Sequence, residues 1–328
     1  MTTLRAALLL AAAVALTGCS SDDAPGSAGP TAADCSSAPT VSDAGELHDA
    51  LAGAGPGDVI VLADGEYRGS FTAAAAGNRA DPVTLCGSRA ARLVGASVDE
   101  GYTLHLDGAS YWRVQGFTVS GGQKGVVLDD ASHNVLRDLR VSGTGDEAVH
   151  LRAGSSDNLV AGNEVRDTGR HQPEYGEGIY VGSAQSNWCD VSECEPDRSD
   201  DNRIVGNDVR GTTAEAVDVK EGTTGGELRE NVLGGGSGEV DSVVELKGND
   251  WQVRGNDIAT VGVDAVQVHV ILDGWGQDNR ITDNSFTLAR PGYAVHLVGD
   301  AERAGNVVGC GQPVTPPGTG ELSNVDCR

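Results

Sequence analysis

Lysine occurs three times in 328 residues, as Lys124, Lys220 and Lys247, and two of the three end matching runs. These runs are Ala216-Val217-Asp218-Val219-Lys220 and Val243-Val244-Glu245-Leu246-Lys247. Polar and apolar residues alternate in both, the spacing of a strand with one face buried. A third run, Ala265-Val266-Gln267-Val268-His269, repeats the pattern with an amide and an imidazole. Stacked in successive coils, Lys220 and Lys247 would stand ~4.8 Å apart. A lysine beside another cation has a lowered pKa and can serve as a base. That base, with a cation to neutralise a sugar carboxylate and an acid for the leaving oxygen, is the set that β-elimination on a uronate needs. Lys220, Lys247, His269 and Arg152 are the candidates for these roles. Asp218 and Glu245 admit a second chemistry, since neighbouring carboxylates ~5–5.5 Å apart suit a retaining glycosidase. They also admit a plain reading, a solvated lattice of cross-strand ion pairs worth roughly 0.2–1 kcal/mol each.

The placement of these side chains follows from a repeat. Three segments align without gaps: Asp157 to Val165, Asp201 to Val209 and Asp278 to Phe286. An asparagine recurs as Asn163, Asn207, Asn231, Asn256, Asn284 and Asn306, with Phe117 and Leu139 in the same place in two earlier copies. The intervals of 44, 24, 25, 28 and 22 residues fall in the range of solenoid repeats, the long one holding an insertion of about 20 residues. Short alternating strands separated by Gly, Asn and Asp give three strands and three turns per repeat. The recurring asparagines are expected to bond one another along the stack. Two outward columns result. The first reads His105, Val127, His150, Tyr180, Asp218, Glu245, Gln267, His296. The second reads Asp107, Asp129, Arg152, Gly182, Lys220, Lys247, His269, Val298. Such a face is long and straight and suits an extended polymer. His150, Tyr180 and Gln267 are its candidate substrate contacts, joined by Tyr175 and Trp275 from inserts at 166–177 and 271–279. A third insert, at 183–201, also flanks the face.

This pattern resembles the right-handed parallel β-helix of the pectate-lyase type, over about residues 57–310. The fold class is therefore all-β, a single-stranded solenoid, with a capping helix expected over 42–54. The turn Ala63-Asp64-Gly65-Glu66-Tyr67 is similar to the entry of many polysaccharide lyases of this fold. The run from Glu215 to Glu221, with Glu245-Leu246-Lys247-Gly248, distantly resembles the calcium-dependent pectate lyases that use a lysine base. That resemblance implies Ca²⁺ as cofactor, Asp218 and Glu245 as its ligands, and Lys220 or Lys247 as the base. Thr213-Ala214-Glu215 stands where the paired aspartates of those enzymes are expected. The polygalacturonase motifs of the fold are absent.

The remainder sets the setting. Residues 1–18 read as a signal peptide: Arg5, then an apolar run from Leu8 to Leu16 that is too short to span a bilayer. Leu16-Thr17-Gly18-Cys19 resembles the bacterial lipobox, which implies lipidation of Cys19, anchorage at the outer face of the cytoplasmic membrane or the cell surface, and a tether over 19–40. The β-helix domain then occupies 41–328, with a disulfide-closed tail after about 310. Six further cysteines allow 15 pairings. The shortest loops join Cys189 to Cys194 and Cys310 to Cys327, leaving Cys35 with Cys86. A net charge of −25 excludes a nucleic-acid partner, and a monomer acting on a polysaccharide is expected. Lyase chemistry leads, with a glycoside hydrolase or a non-catalytic glycan-binding or structural lipoprotein as alternatives.

Overall fold

The computed structural model describes Cys35 and residues 40–328 apart from 237–239 and 261–263. The signal segment, Cys19 and most of the tether lie outside the described residues. No helix among the described residues is long and apolar enough to cross a membrane.

The chain winds into a solenoid of three parallel sheets with 11, 10 and 10 strands, in which each strand pairs with its counterparts one coil away. The inward positions hold it together. In the sheet that carries the site, Leu104, Val126, Val149, Ile179, Val217, Val244, Val266 and Val295 stack in register and are fully buried. Each such side chain removed from water contributes ~1.5–3 kcal/mol. β-Branched residues dominate because they pack well on a pleated surface.

The turns follow from the repeat segments. Asp157, Asp201 and Asp278, which open them, have φ of 59°, 55° and 57°, a left-handed conformation that Asp tolerates better than most residues. The asparagine ladder is real. The Asn163 backbone N–H donates to Asn207 Oδ1 at 2.9 Å, and the same bond recurs from Asn207 to Asn231, Asn231 to Asn256 and Asn256 to Asn284. The next member, however, is Gln312, which accepts from Asn284 at 3.0 Å. Asn306 belongs instead to a second ladder, where it accepts from the Asn279 N–H. That ladder also runs through Asn134, Asn158 and Asn202.

Both ends are closed. A helix over Ala44–Gly53 buries Leu47 and Leu51 over the first coil. Asp43 caps it by accepting from the Glu46 N–H, while the Glu46 carboxylate reaches back to the Ser42 N–H at 2.8 Å. The tail after 310 is more than a disulfide-closed extension. It adds strands Val314–Thr315 and Glu321–Ser323 to two of the sheets. The disulfides are Cys35–Cys86, Cys189–Cys194 and Cys310–Cys327, the pairing with the shortest loops. Three disulfides mark a protein of an oxidising, exported compartment.

Candidate active site

Strand pairing places both outward columns as the repeat predicts. Val127 pairs with His105 and His150, His150 with Tyr180, Tyr180 with Asp218, Asp218 with Glu245, Glu245 with Gln267, and Gln267 with His296. Beside them, the Lys220 N–H bonds Val181 O and the Lys247 N–H bonds Val219 O, which continues the second column from Gly182 through both lysines.

A third column lies beside the first and went unread in the sequence. It consists of Tyr102, Lys124, Glu147, Glu177, Glu215, Ser242, Asp264 and Tyr293. Strand pairing of Lys124 with Tyr102 and of Ser242 with Asp264 fixes its two ends. Its middle is set by N–H donation from Gly125 to Glu147 O, Ala148 to Glu177 O and Gly178 to Glu215 O. The three columns meet in a cleft of about 570 Å³ lined by Lys124, Glu147, Arg152, Glu177, Tyr180, Glu215, Asp218 and Lys220.

Two inserts wall the cleft. The first contributes Gln172, Glu174 and Tyr175, the last 51% exposed at the rim. The second contributes residues from Ser183 to Val191, including the short helix Trp188–Val191. Asp197 fastens this second wall. It is fully buried and accepts from the Ala153 and Gly154 N–H groups, both at 3.0 Å, and from the Ser183 and Ser199 hydroxyls, both at 2.8 Å. The insert at 271–279 does not line this cleft, and Trp275 instead lies under the Arg198 guanidinium, 5.5 Å from ring centre to charge.

The charges form one connected array. Lys220 Nζ is 2.6 Å from Asp218 Oδ2, and Lys247 Nζ is 3.2 Å from Asp218 Oδ1 and in contact with Glu245. His269 Nε2 lies 3.2 Å from Glu245 and 2.8 Å from Gln267 Oε1. This array corrects the expectation that the lysines depress each other. Burial does push both toward neutrality, but the Asp218 charge outweighs it, so the pKa of each is raised and each is held as an ammonium. Burial likewise pushes Asp218 up, and the two lysines pull it below the usual carboxylate range. Asp218 is 1% exposed, so it is neither an accessible hydrolytic carboxylate nor a solvated surface ion.

The other titratable groups divide by burial. Burial and the surrounding carboxylates Asp218, Glu177 and Glu147 raise the Tyr180 phenol well above its ordinary value, so it stays protonated. Its hydroxyl has no hydrogen-bond partner among the described residues. Its ring packs edge-on against His150, 4.4 Å between centroids, with Lys220 Nζ 5.0 Å from its centre. His150, a candidate sugar contact from sequence, is 4% exposed beneath that ring. Nε2 of His150 donates to Gly182 O at 2.9 Å, and burial lowers the imidazole pKa. Glu177 is raised well above the usual range by burial and by Glu147 and Asp218, and its Oε2 has no partner. Burial, then Asp218 and Glu245, push Glu215 up to about 7. Arg152 is held charged by Asp129, which accepts from its Nε at 2.6 Å, and it also donates to the Tyr102 hydroxyl. His269 is lowered, mainly by burial.

No protein-family profile matches the chain, and no curated protein matches it. Among solved structures it is similar to an alginate lyase from Paenibacillus sp. str. FPU-7, with 35% identity and a TM-score of 0.79 over 87% of this chain and 98% of that one. The chain belongs to the family of that lyase. It is a polysaccharide lyase of the right-handed parallel β-solenoid type. Two more distant likenesses show the fold alone. The pectate lyase Pel9A has 14% identity and a TM-score of 0.58 over 85% of this chain and 72% of its own. A protein of Geobacillus virus E2 has 14% identity and a TM-score of 0.60 over 85% and 56%.

The lyase thus carries Lys220, Lys247, Asp218, Glu245, Tyr180, His150 and Arg152 in or beside one cleft. Gln267 and His269 stand one coil beyond Glu245, and Trp275 stands apart. The acidic groups Glu147, Glu177 and Glu215 complete the site.

Proposed function

We propose that the lyase cleaves a uronic-acid polymer, with alginate as the first substrate to test, by β-elimination at the coil of Tyr180. The observation that carries this is the position around the Tyr180 phenol. Column two has cations at Arg152 and Lys220, and between them, at the level of Tyr180, stands Gly182. A Cβ there would come within 2.6 Å of Thr223 Cγ2 and 3.5 Å of Lys220 Cβ. The backbone, at φ 78°, also favours glycine. Arg152, Tyr180 and Lys220 all line the cleft, so a sugar carboxylate held there meets two fixed positive charges and an unpartnered hydroxyl.

The roles follow from the charge states. Lys220 and Arg152, both held charged, neutralise the uronate carboxylate and so acidify the neighbouring C5–H. Glu215, with a pKa of about 7, is a stronger base than an ordinary carboxylate and ionises near neutral pH; it takes the C5 proton. The electron pair left behind forms the C4–C5 double bond. The C4–O bond breaks, and the protonated Tyr180 phenol gives its proton to the departing oxygen. Glu215 and Tyr180 then return to their starting states by proton exchange with water. His150, packed under Tyr180, positions its ring.

Calcium does not fit the residues that the pectate-lyase resemblance implies. Asp218 and Glu245 already bind the ammonium groups of Lys220 and Lys247. Glu177, Glu215 and Asp218 do have oxygens within 4.8 Å of one another, a spacing at which carboxylates share an ion or a proton. With Asp218 neutralised by lysines, the raised pKa values of the two glutamates favour the proton.

The decisive assay is the ultraviolet absorbance of the unsaturated product on a panel of uronic-acid polymers. Absorbance growing on alginate supports the reading. New reducing ends without absorbance on any polymer would replace elimination by hydrolysis. The same proposal places the protein at the cell surface through a lipid on Cys19. Incorporation of labelled palmitate that survives Cys19→Ser would remove that anchor.

A further inference from the structure

The cleft ends near Glu245, but the outward face does not. Two further coils continue the same columns. One carries Asp264, Gln267 and His269, the next Tyr293 and His296. Their polar atoms are locked in a row. Asp264 accepts from Gln267 Nε2 and His296 Nδ1, both at 2.8 Å, and from the Tyr293 N–H at 2.7 Å. Gln267 Oε1 meets His269 Nε2 at 2.8 Å. With Nδ1 of His296 on Asp264 and Nε2 of His269 on Gln267, the opposite nitrogen of each ring has no partner among the described residues. The side chains of His269 and His296 are 20% and 30% exposed. The Tyr293 ring leans on His296, 5.0 Å between centroids at 46°. Tyr293 also lines a recess of about 490 Å³, whose other wall is the final turn from Gly318 to Glu321. The strand Glu321–Ser323 closes the sheet there.

Rigid side chains with one free polar atom each, beside an aromatic platform, are what sugar hydroxyls and pyranose faces require. Spacing agrees with this. Successive coils lie ~4.8 Å apart, and a pyranose residue advances an extended chain by close to the same distance. We propose that this stretch is a run of subsites for the substrate polymer, which lies along the solenoid axis. About three uronate residues past the coil of Lys220 would rest on the coils of Glu245, Gln267 and His296. The run terminates at Tyr293 against the tail. The inference rests on the lyase reading above, since it takes its ligand from there.

The test compares wild type, His296→Ala and Tyr293→Ala on purified saturated alginate oligomers of increasing length, with melting curves to confirm folding. kcat/KM of wild type is expected to climb with length until the face is filled. Each variant should lose about tenfold on the longest oligomer, mainly through KM, with progressively smaller losses as the oligomer shortens. A loss of equal size at every length, or none at any length, overturns the proposal. If wild type cleaves none of the oligomers, the lyase reading fails separately. Calorimetric titration with the same oligomers then decides the subsites: length-dependent binding weakened in the His296 variant supports them, and binding indifferent to that variant, or no binding, removes them.

Discussion

Replacing Lys220 distinguishes a fixed charge from a base. Its ammonium stands 2.6 Å from Asp218, and Asp218 keeps a second ammonium, Lys247, at 3.2 Å. Breaking a buried pair costs ~3–5 kcal/mol, and with one partner remaining Lys220→Ala should cost about 3 kcal/mol. In a chain of this size that lowers Tm by roughly 5 °C. The rate should fall further than stability suggests, because a positioned charge at a developing oxyanion is worth ~10²–10³-fold. Lys220→Arg keeps the charge but cannot accept a proton, since guanidinium stays protonated in proteins. It should retain activity within about tenfold of wild type. The assay is the initial rate of product absorbance on alginate between pH 5 and 9. In wild type the rate should rise with pH through about 7, the value to which Glu215 is pushed, because only the ionised carboxylate accepts the proton. Glu215→Gln should abolish that limb together with the rate. The reasoning is refuted if Lys220→Arg is as inactive as Lys220→Ala while both variants fold and bind alginate. Lys220 would then carry the proton, and the ammonium state in the free protein would be overridden by substrate.

Three further outcomes are expected. Exhaustive chelation should leave the elimination rate unchanged, since Asp218 and Glu245 are already bound by lysines; a rate restored only by added Ca²⁺ would return the acidic cluster to a metal. Asp197→Ala orphans four donors, two of them buried, and should lower Tm at a cost of about 3 kcal/mol, with KM rising as the second wall loosens; an unchanged KM would mean that this wall does not touch substrate. Glu177→Gln should stabilise the protein at pH 8 but not at pH 4. Its native pKa is raised, so folding must hold a buried carboxylate in its disfavoured ionised form as pH rises through the native pKa, and melting curves at the two pH values read the difference.

Much of this architecture was legible because a solenoid converts spacing into position. Once Val217 and Val244 are inward, Asp218, Glu245 and the following lysines must face out, and the pairing follows coil by coil. The Glu147, Glu177 and Glu215 column was missed because it precedes the strands, beside the small residues Ala148, Gly178 and Ala216. Alternation breaks at such a bend, and period two no longer says which way a side chain points. A signal existed: each glutamate is followed by a small residue and then by Val149, Ile179 or Val217. The lysine charge state is hidden from spacing for a different reason. Two lysines one coil apart do repel, but the register sets Asp218 between them, and opposite charge at 2.6 Å outweighs like charge farther off. An interval of 22 residues makes Asn306 a plausible next rung, whereas the structure closes that ladder with a glutamine 28 residues on.

The first ladder also bears on how such an enzyme can change. The bond from Asn163 to Asn207 spans 44 residues of chain, yet at 2.9 Å it matches the 2.8 Å bond from Asn207 to Asn231, which spans 24. The coil closes without registering that a twenty-residue loop left it and returned. Loop and scaffold are thus mechanically decoupled. Segments that shape the cleft can be lengthened, shortened or exchanged at the margin of one coil while the stack beneath keeps its register, so selectivity can be rewritten without renegotiating the fold.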